Sequence, residues 1–192
     1  MKTLNPDYVR AVKRLVNRCP YFELISMEIL SLALGRSRLE VMVQKKHLQP
    51  FGIVHGGVYS SVMDAAAFWA VYPLLEEGIG LTTVEIKLNF LSPAAEGCLV
   101  AKGRNIKIGK TLCLAEASIF NRKGVFLAHG VATMMILRDL KLEGEQSLPS
   151  KFWKTEDRSR RSEDGSRKSE DGRQKTEGRR RKSEVGRRES EA

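Results

Sequence analysis

Three features are scarce in this chain, and each absence excludes something. No run approaches the ~20 apolar residues of a membrane-spanning helix; the best, Ala65 to Leu75, is about half that length. The opening Met1-Lys2-Thr3-Leu4-Asn5-Pro6-Asp7 has neither an apolar core nor a small-residue cleavage site, so no secretory signal is read there and a cytoplasmic location is expected. Cysteine is limited to Cys19, Cys98 and Cys113, odd in number and without close metal spacing. That pattern predicts reduced, mostly buried thiols, with no disulfide framework and no metal site.

What is present is one core's worth of apolar sequence. The chain has 192 residues, 42% of them hydrophobic, which suits about one domain. Its 33 basic and 23 acidic side chains give a net charge of +10, yet residues 151–192 hold 15 and 10 of these in only 42 positions. That stretch has three large apolar residues, Phe152, Trp153 and Val185, too few to offset the entropy of ordering it. It repeats a short unit, as in Arg161-Ser162-Glu163-Asp164-Gly165 and Lys168-Ser169-Glu170-Asp171-Gly172, with no hydrophobic face to stack. The expected organisation is an N-terminal helix over 1–19, a folded domain over 20–140, and a linker with a disordered charged tail over 141–192. Basic tails bind nucleic acid, but here acidic residues are interspersed and no aromatic follows Trp153 to stack on bases, so only weak binding is expected.

Within the domain the hydrophobic period alternates between helix and strand. Tyr8, Val12, Leu15 and Val16 predict a helix over 6–18, closed by Pro20. Strands are expected over 25–34 and 37–44, turning at Gly35. A loop carrying His47, Pro50 and Gly52 leads to a helix from Gly56 to about Glu76, apolar on nearly every face and so surrounded by protein. From Thr83 to Phe90 the period is two, a half-buried strand ending at Ser92-Pro93, with further strands near 98–107, 111–121 and 124–137. Cys113, Ala115, Ala117 and Ile119 form a small-residue face that lets a helix sit close. The architecture is therefore α+β, one antiparallel sheet curling round one buried helix.

The sharpest chemical signal is His55-Gly56-Gly57 at the start of that helix. First-turn amides have no intrahelical partners and sit at the positive end of the macrodipole, so they suit a carbonyl oxygen or the oxyanion formed when it is attacked. Asp64 lies inside the apolar helix, where an ionised carboxylate is costly; partial desolvation makes it a competent base for water. Eight residues separate Gly56 from Asp64, about 12 Å along a helix, too far to act on one carbon. If both take part, a second copy of the chain must complete the site as a two-fold dimer.

These residues resemble the hotdog-fold acyl-CoA thioesterases of the phenylacetate-degradation type over about residues 20–138. The likeness rests on His55-Gly56-Gly57 with Asp64 at its spacing, on Asn89-Phe90-Leu91-Ser92-Pro93-Ala94, and on Lys107-Ile108-Gly109-Lys110-Thr111-Leu112. It implies a hotdog fold with a five- to six-stranded sheet around the long helix, homodimers often paired into homotetramers, and hydrolysis of acyl-CoA without metal or cofactor. By the same likeness the Gly56 amide, with Gly57, polarises the thioester carbonyl, the partner subunit's Asp64 activates water, His55 contacts the leaving sulfur and Thr83 orients the water. Gln49 stands where the family often has Asn. Phe90 and Ser92 line the groove, and Lys107, Gly109, Lys110 and Thr111 offer cations and turn amides to the CoA phosphates.

Two other functions compete with thioester hydrolysis. A non-catalytic acyl-CoA sensor is disfavoured because the only N-terminal addition is one short helix, with no helix-turn-helix pair. A hotdog dehydratase needs a His and a carboxylate converging on a substrate carbon, whereas His55-Gly56-Gly57 suits a carbonyl oxygen. His47 reads as a loop residue, His129 as a strand residue satisfied by backbone, and Phe68, Trp69 and Tyr72 as packing residues.

Overall fold

The computed structural model describes residues 2–153; the tail expected to be disordered, with its repeats, lies outside the described residues. Helix α1 (Pro6–Asn17) starts where the Asn5 side chain accepts from the Asp7 amide, with Pro6 in the first turn where no donor is needed. Its Tyr8, Val12 and Val16 are buried. Pro20 does more than end this helix: it opens a second, α2 (Pro20–Leu24), for the same reason Pro suits a first turn.

Strands β1 (Met27–Ala33) and β2 (Arg36–Met42) form the expected hairpin, with Gly35 in the left-handed region at φ 75°. The central helix α3 (Gly56–Val71) follows, then β3 (Gly80–Phe90), β4 (Cys98–Ile108), β5 (Leu112–Asn121) and β6 (Phe126–Leu137). All pairings are antiparallel in the order β1-β2-β4-β5-β6-β3, which leaves β1 and β3 as the edges. This six-stranded sheet wrapped on one helix is the hotdog fold.

Close approach of α3 to the sheet depends on small residues. Cys113, Ala115, Ala117 and Ile119 are fully buried. At Gly103 a Cβ would collide with the Ala66 carbonyl, which also accepts from Ser37 Oγ at 2.6 Å. The helix ends at Val71, short of Glu76, and a 3₁₀ turn covers Tyr72–Leu74. Pro73 has no N–H for the carbonyl four residues back, so the apolar pattern outlasts the helix.

The chain beyond β6 also differs from expectation, because the part of the linker up to Phe152 is docked. Leu142 and Leu148 pack on the core, Leu4 bridges Phe152, and Lys151 is 1% exposed. The Lys151 ammonium donates to the carbonyls of Tyr72 (3.0 Å) and Leu75 (2.9 Å) beyond the end of α3 and lies 4.3 Å from the Tyr72 ring. Its amide and the Ser150 hydroxyl donate to Glu77. A lysine expected to lie in a linker thus becomes a core residue, because it supplies a donor to carbonyls far away in sequence.

Candidate active site

The loop before α3 is a small frame of backbone hydrogen bonds. Leu48 bridges Val54, the Gln49 amide donates to the Ile53 carbonyl, and Gly52 turns at φ 77°. Bonds from Val54 to the Ala94 carbonyl (2.7 Å) and from His55 to the His47 carbonyl (2.9 Å) hold the helix entrance. His55 is the N-cap: its Nδ1 accepts from the Gly57 amide at 2.8 Å, and its carbonyl accepts from Val58 at 3.0 Å. Gly57 is therefore occupied within its own chain and is not free for a carbonyl oxygen, a correction to the expected pair of donors. Gly56 keeps an amide with no partner among the described residues. Because Nδ1 accepts, the neutral His55 ring carries its proton on Nε2.

The Phe90 ring covers Gly56. A Cβ on Gly56 would lie 3.1 Å from Phe90 Cζ, so glycine allows the ring to close over the amide. Phe90 also meets Tyr59 edge to face at 5.8 Å. Tyr59 is buried with its hydroxyl unpaired, and it went unnoticed in the sequence, where only its place one turn after Gly56 marks it. Ser92 is held nearby in the chain by its amide on the Leu127 carbonyl at 3.2 Å.

Asp64 and Thr83 meet: the Thr83 hydroxyl donates to Asp64 Oδ1 at 2.6 Å, at a bulge in β3. Burial pushes the Asp64 carboxyl above its ordinary range, and the Thr83 bond partly offsets this. Oδ2 has no hydrogen-bond partner among the described residues, which leaves a lone pair for water.

Sheet register divides the expected residues into two groups. Thr83 pairs with Met134, Met134 with Cys113 and Cys113 with Ile108, so Asp64, Thr83 and the exposed hairpin of Lys107, Gly109, Lys110 and Thr111 share one end of the sheet. Phe90 pairs with Ala128 and Ala128 with Ile119, which puts Gly56, Phe90 and their loop toward the other end. Six residues from Cys113 to Ile119 span about 20 Å. One chain does not join the two groups.

The remaining histidines stand apart. His47 is buried, accepts from the Gln44 amide at 3.0 Å, and is held below the usual histidine range by burial and by Lys46. His129 is satisfied by the Ser118 hydroxyl at 3.1 Å instead of by backbone, because Ser118 is its cross-strand neighbour. Trp69 and Tyr72 are buried, as packing residues should be. Among the described residues no group of three or more His, Cys, Asp or Glu could hold a metal, and no helix is long and apolar enough to cross a membrane.

The hotdog fold carries an unpaired amide at the start of its central helix and a carboxylate two turns on, parts that suit a carbonyl oxygen and a water. Comparison with known proteins gives the class. A family model described as the thioesterase superfamily matches residues 51–128. A Saccharolobus solfataricus protein named "Putative esterase" is 32% identical over 141 residues, 72% of this chain and 92% of that one. The 1,4-dihydroxy-2-naphthoyl-CoA hydrolase of Listeria monocytogenes is 29% identical, covering 62% of this chain and 97% of its own. The crystal structure of a thioesterase family protein from Silicibacter pomeroyi is 34% identical with a TM-score of 0.62, covering 68% and 98%. The chain belongs to the thioesterase superfamily, a group of thioester hydrolases.

Proposed function

We propose that the protein is an acyl-CoA thioesterase whose site forms between two copies of the chain. The observation that carries this reading is the division of the site: the free Gly56 amide and Asp64, which Thr83 of β3 hydrogen-bonds, lie on one helix but about 12 Å apart. Edge strand β3 supplies a way to join them. It runs from Thr83, beside Asp64, to Phe90, beside Gly56, and exposes Val84 and Ile86 along a free edge. Such an edge is a template for pairing. Antiparallel pairing of two β3 strands about residues 86–87 sets the Phe90 end of one copy against the Thr83 end of the other.

In that dimer the Gly56 amide binds the thioester oxygen with the helix dipole behind it. The partner subunit's Asp64, ionised, takes a proton from water as the water oxygen bonds to the carbonyl carbon, and the Thr83 hydroxyl orients the carboxylate. Collapse of the tetrahedral intermediate breaks the C–S bond, His55 Nε2–H hydrogen-bonds the departing thiolate, and the thiolate takes up the proton held by the partner subunit's Asp64, restoring the carboxylate. The products are a carboxylic acid and CoA. Lys107, Lys110 and the turn around Gly109 and Thr111, at the same end of the sheet as Thr83, offer charge to the CoA phosphates; Phe90 and Ser92 line the acyl side, with Gln49 in the loop before Gly56. The Listeria relative, named for a CoA thioester, supports the substrate class. This reading requires a homodimer, and pairing of such dimers into homotetramers is the assembly the family resemblance implies.

The test is complementation. Asp64→Asn and Gly56→Pro homodimers are each expected to release little thiol from a panel of acyl-CoAs read with a thiol-trapping dye. Unfolding, mixing and refolding the two gives hybrids with one intact site, restoring roughly a quarter of native turnover. No recovery in a mixture that reassembles would overturn the shared site, and tight acyl-CoA binding by the native chain without thiol release would replace hydrolysis with sensing.

A further inference from the structure

Away from both groups of site residues, a cleft of about 780 Å³ opens between α1, the start of α2 and the segment after β6. Its walls are Leu15, Val16, Phe22, Leu142 and Leu148, and the last turn of α3 contributes Trp69. Except for Trp69, all of these lie outside residues 51–128, the span that the family model matches. Arg14 and Arg18 stand four residues apart at its lip, and neither side chain has an acidic or hydrogen-bonding partner among the described residues. The end of a helix favours cations, which accounts for basic residues there but not for the apolar trough beside them. Glu143, on the facing segment, is the one acidic lining residue, so the rim keeps a net positive charge. The volume falls in the roughly 300–1,000 Å³ range of small-molecule sites, and an apolar wall with few polar groups at one end is how such sites are lined.

We propose that this cleft binds an amphipathic carboxylate, a medium-chain fatty acid, with its chain along Leu15, Leu148 and Trp69 and its headgroup on Arg14 and Arg18. Guanidiniums pair with planar carboxylates, and the trough removes the alkyl chain from water. The site does not depend on the assignment of Gly56 and Asp64.

Equilibrium dialysis of the full chain against radiolabelled dodecanoate, below its micellar concentration, tests this. One saturable site per chain is expected, unchanged by Asp64→Asn and by saturating CoA. The double variant Arg14→Glu, Arg18→Glu, altering only exposed side chains, is expected to weaken binding at least tenfold, and Leu148→Trp, which fills the trough, to do likewise. Dodecyltrimethylammonium, with the same chain and the opposite charge, is expected to bind at least tenfold more weakly. Absence of saturable binding, displacement by CoA, equal binding of the cation, or indifference to both variants would overturn the proposal. None of these readouts uses turnover, so failure of the hydrolytic reading leaves this one standing, and the reverse.

Discussion

The two ends of helix α3 face the same physical problem and meet it in opposite ways. Each end leaves backbone groups without intrahelical partners. At the start, His55 satisfies Gly57 and Val58 from within the local chain and leaves the Gly56 amide open beneath the Phe90 ring. Past the other end, the Leu75 carbonyl is closed, and the Tyr72 carbonyl, which already accepts from the Leu75 amide, gains a second donor, from the ammonium of Lys151, which arrives from 76 or more positions away. An end that holds a ligand, the role proposed for the Gly56 end, has to stay unpaired, whereas an end that only supports the fold is best sealed by an opposite charge.

The largest effect expected from disturbing this contrast is at the open end. Gly56→Pro deletes the N–H while keeping a residue suited to the first helical turn, and His55 at φ −64° and ψ 139° already has the backbone that precedes proline. Gly56→Ala adds a similar contact with Phe90 but retains the amide, so it is the control. Loss of an oxyanion donor lowers kcat by about 10²–10³, and the proline variant is expected to fall in that range while alanine falls far less. Equal losses in both would show that crowding, not the amide, matters. Asp64→Asn should lose a comparable or larger factor, about 10²–10⁴, and its stability bears on the reason. A carboxyl whose folded pKa is raised stabilises the fold fully below its unfolded pKa and loses that contribution as pH rises through the folded value. At neutral pH the asparagine variant is thus expected to melt at or above the native temperature, whereas turnover by the native chain falls on acidification through that raised pKa.

At the sealed end the readout is stability. Burial holds the Lys151 ammonium at about 8, against an ordinary lysine near 10.5. Between those values the unfolded chain binds more protons than the folded one, so this residue makes stability rise with pH, by about 2–3 kcal/mol from pH 8 to pH 10. A neutral amine still has two hydrogens for its two carbonyls. Denaturant melts of the native chain and Lys151→Met across that range are expected to differ by this slope. The difference is the informative quantity, because burial raises the thiols of Cys98 and Cys113 and they act in the opposite sense above pH 9. Truncation sharpens the point: a chain ending at Trp153 should keep native stability and turnover, and one ending at Ser150 should lose stability, since the Leu75 carbonyl loses its donor while Tyr72 keeps only the Leu75 amide and Glu77 only the Ser150 hydroxyl.

The same contrast explains what could be read from sequence. The start of α3 is a local matter: a helix-capping residue, two glycines and an apolar period all fall within a dozen positions, and so do the alternation of β3 and the small-residue face of β5. The sealed end is not local. Phe152 and Trp153 set Lys151 apart from the basic residues that follow, but its role comes from the Tyr72 and Leu75 carbonyls, 76 or more positions away, past a helix that Pro73 cuts short although its apolar pattern continues to Leu75. The loss of Gly57 as a donor was within reach, since a histidine at the cap position competes for that amide. His129 needed the strand register, because its partner Ser118 is eleven residues away on β5. The division of the site needed only helix rise, while the sheet register that repeats the division needed the structure.

The smallest effect concerns His55, which has two roles that substitution can separate. As a cap it satisfies the Gly57 amide through Nδ1, and as a donor it offers Nε2–H. His55→Ala removes both, with an expected stability loss of about 1 kcal/mol, the usual cost of a deleted N-cap, together with slower turnover. It also frees Gly57, which then competes with Gly56 for the substrate oxygen, so alanine alone cannot assign the rate effect. Asparagine is among the best N-cap residues and its carbonyl oxygen can take the Gly57 amide, whereas its short amide does not reach where Nε2 lies. His55→Asn is therefore expected to melt within about 0.5 kcal/mol of the native chain while turnover stays as low as in His55→Ala. Recovery of turnover along with the cap would instead mean that His55 acts only by keeping the Gly56 amide in place, and that the leaving thiolate departs without its help.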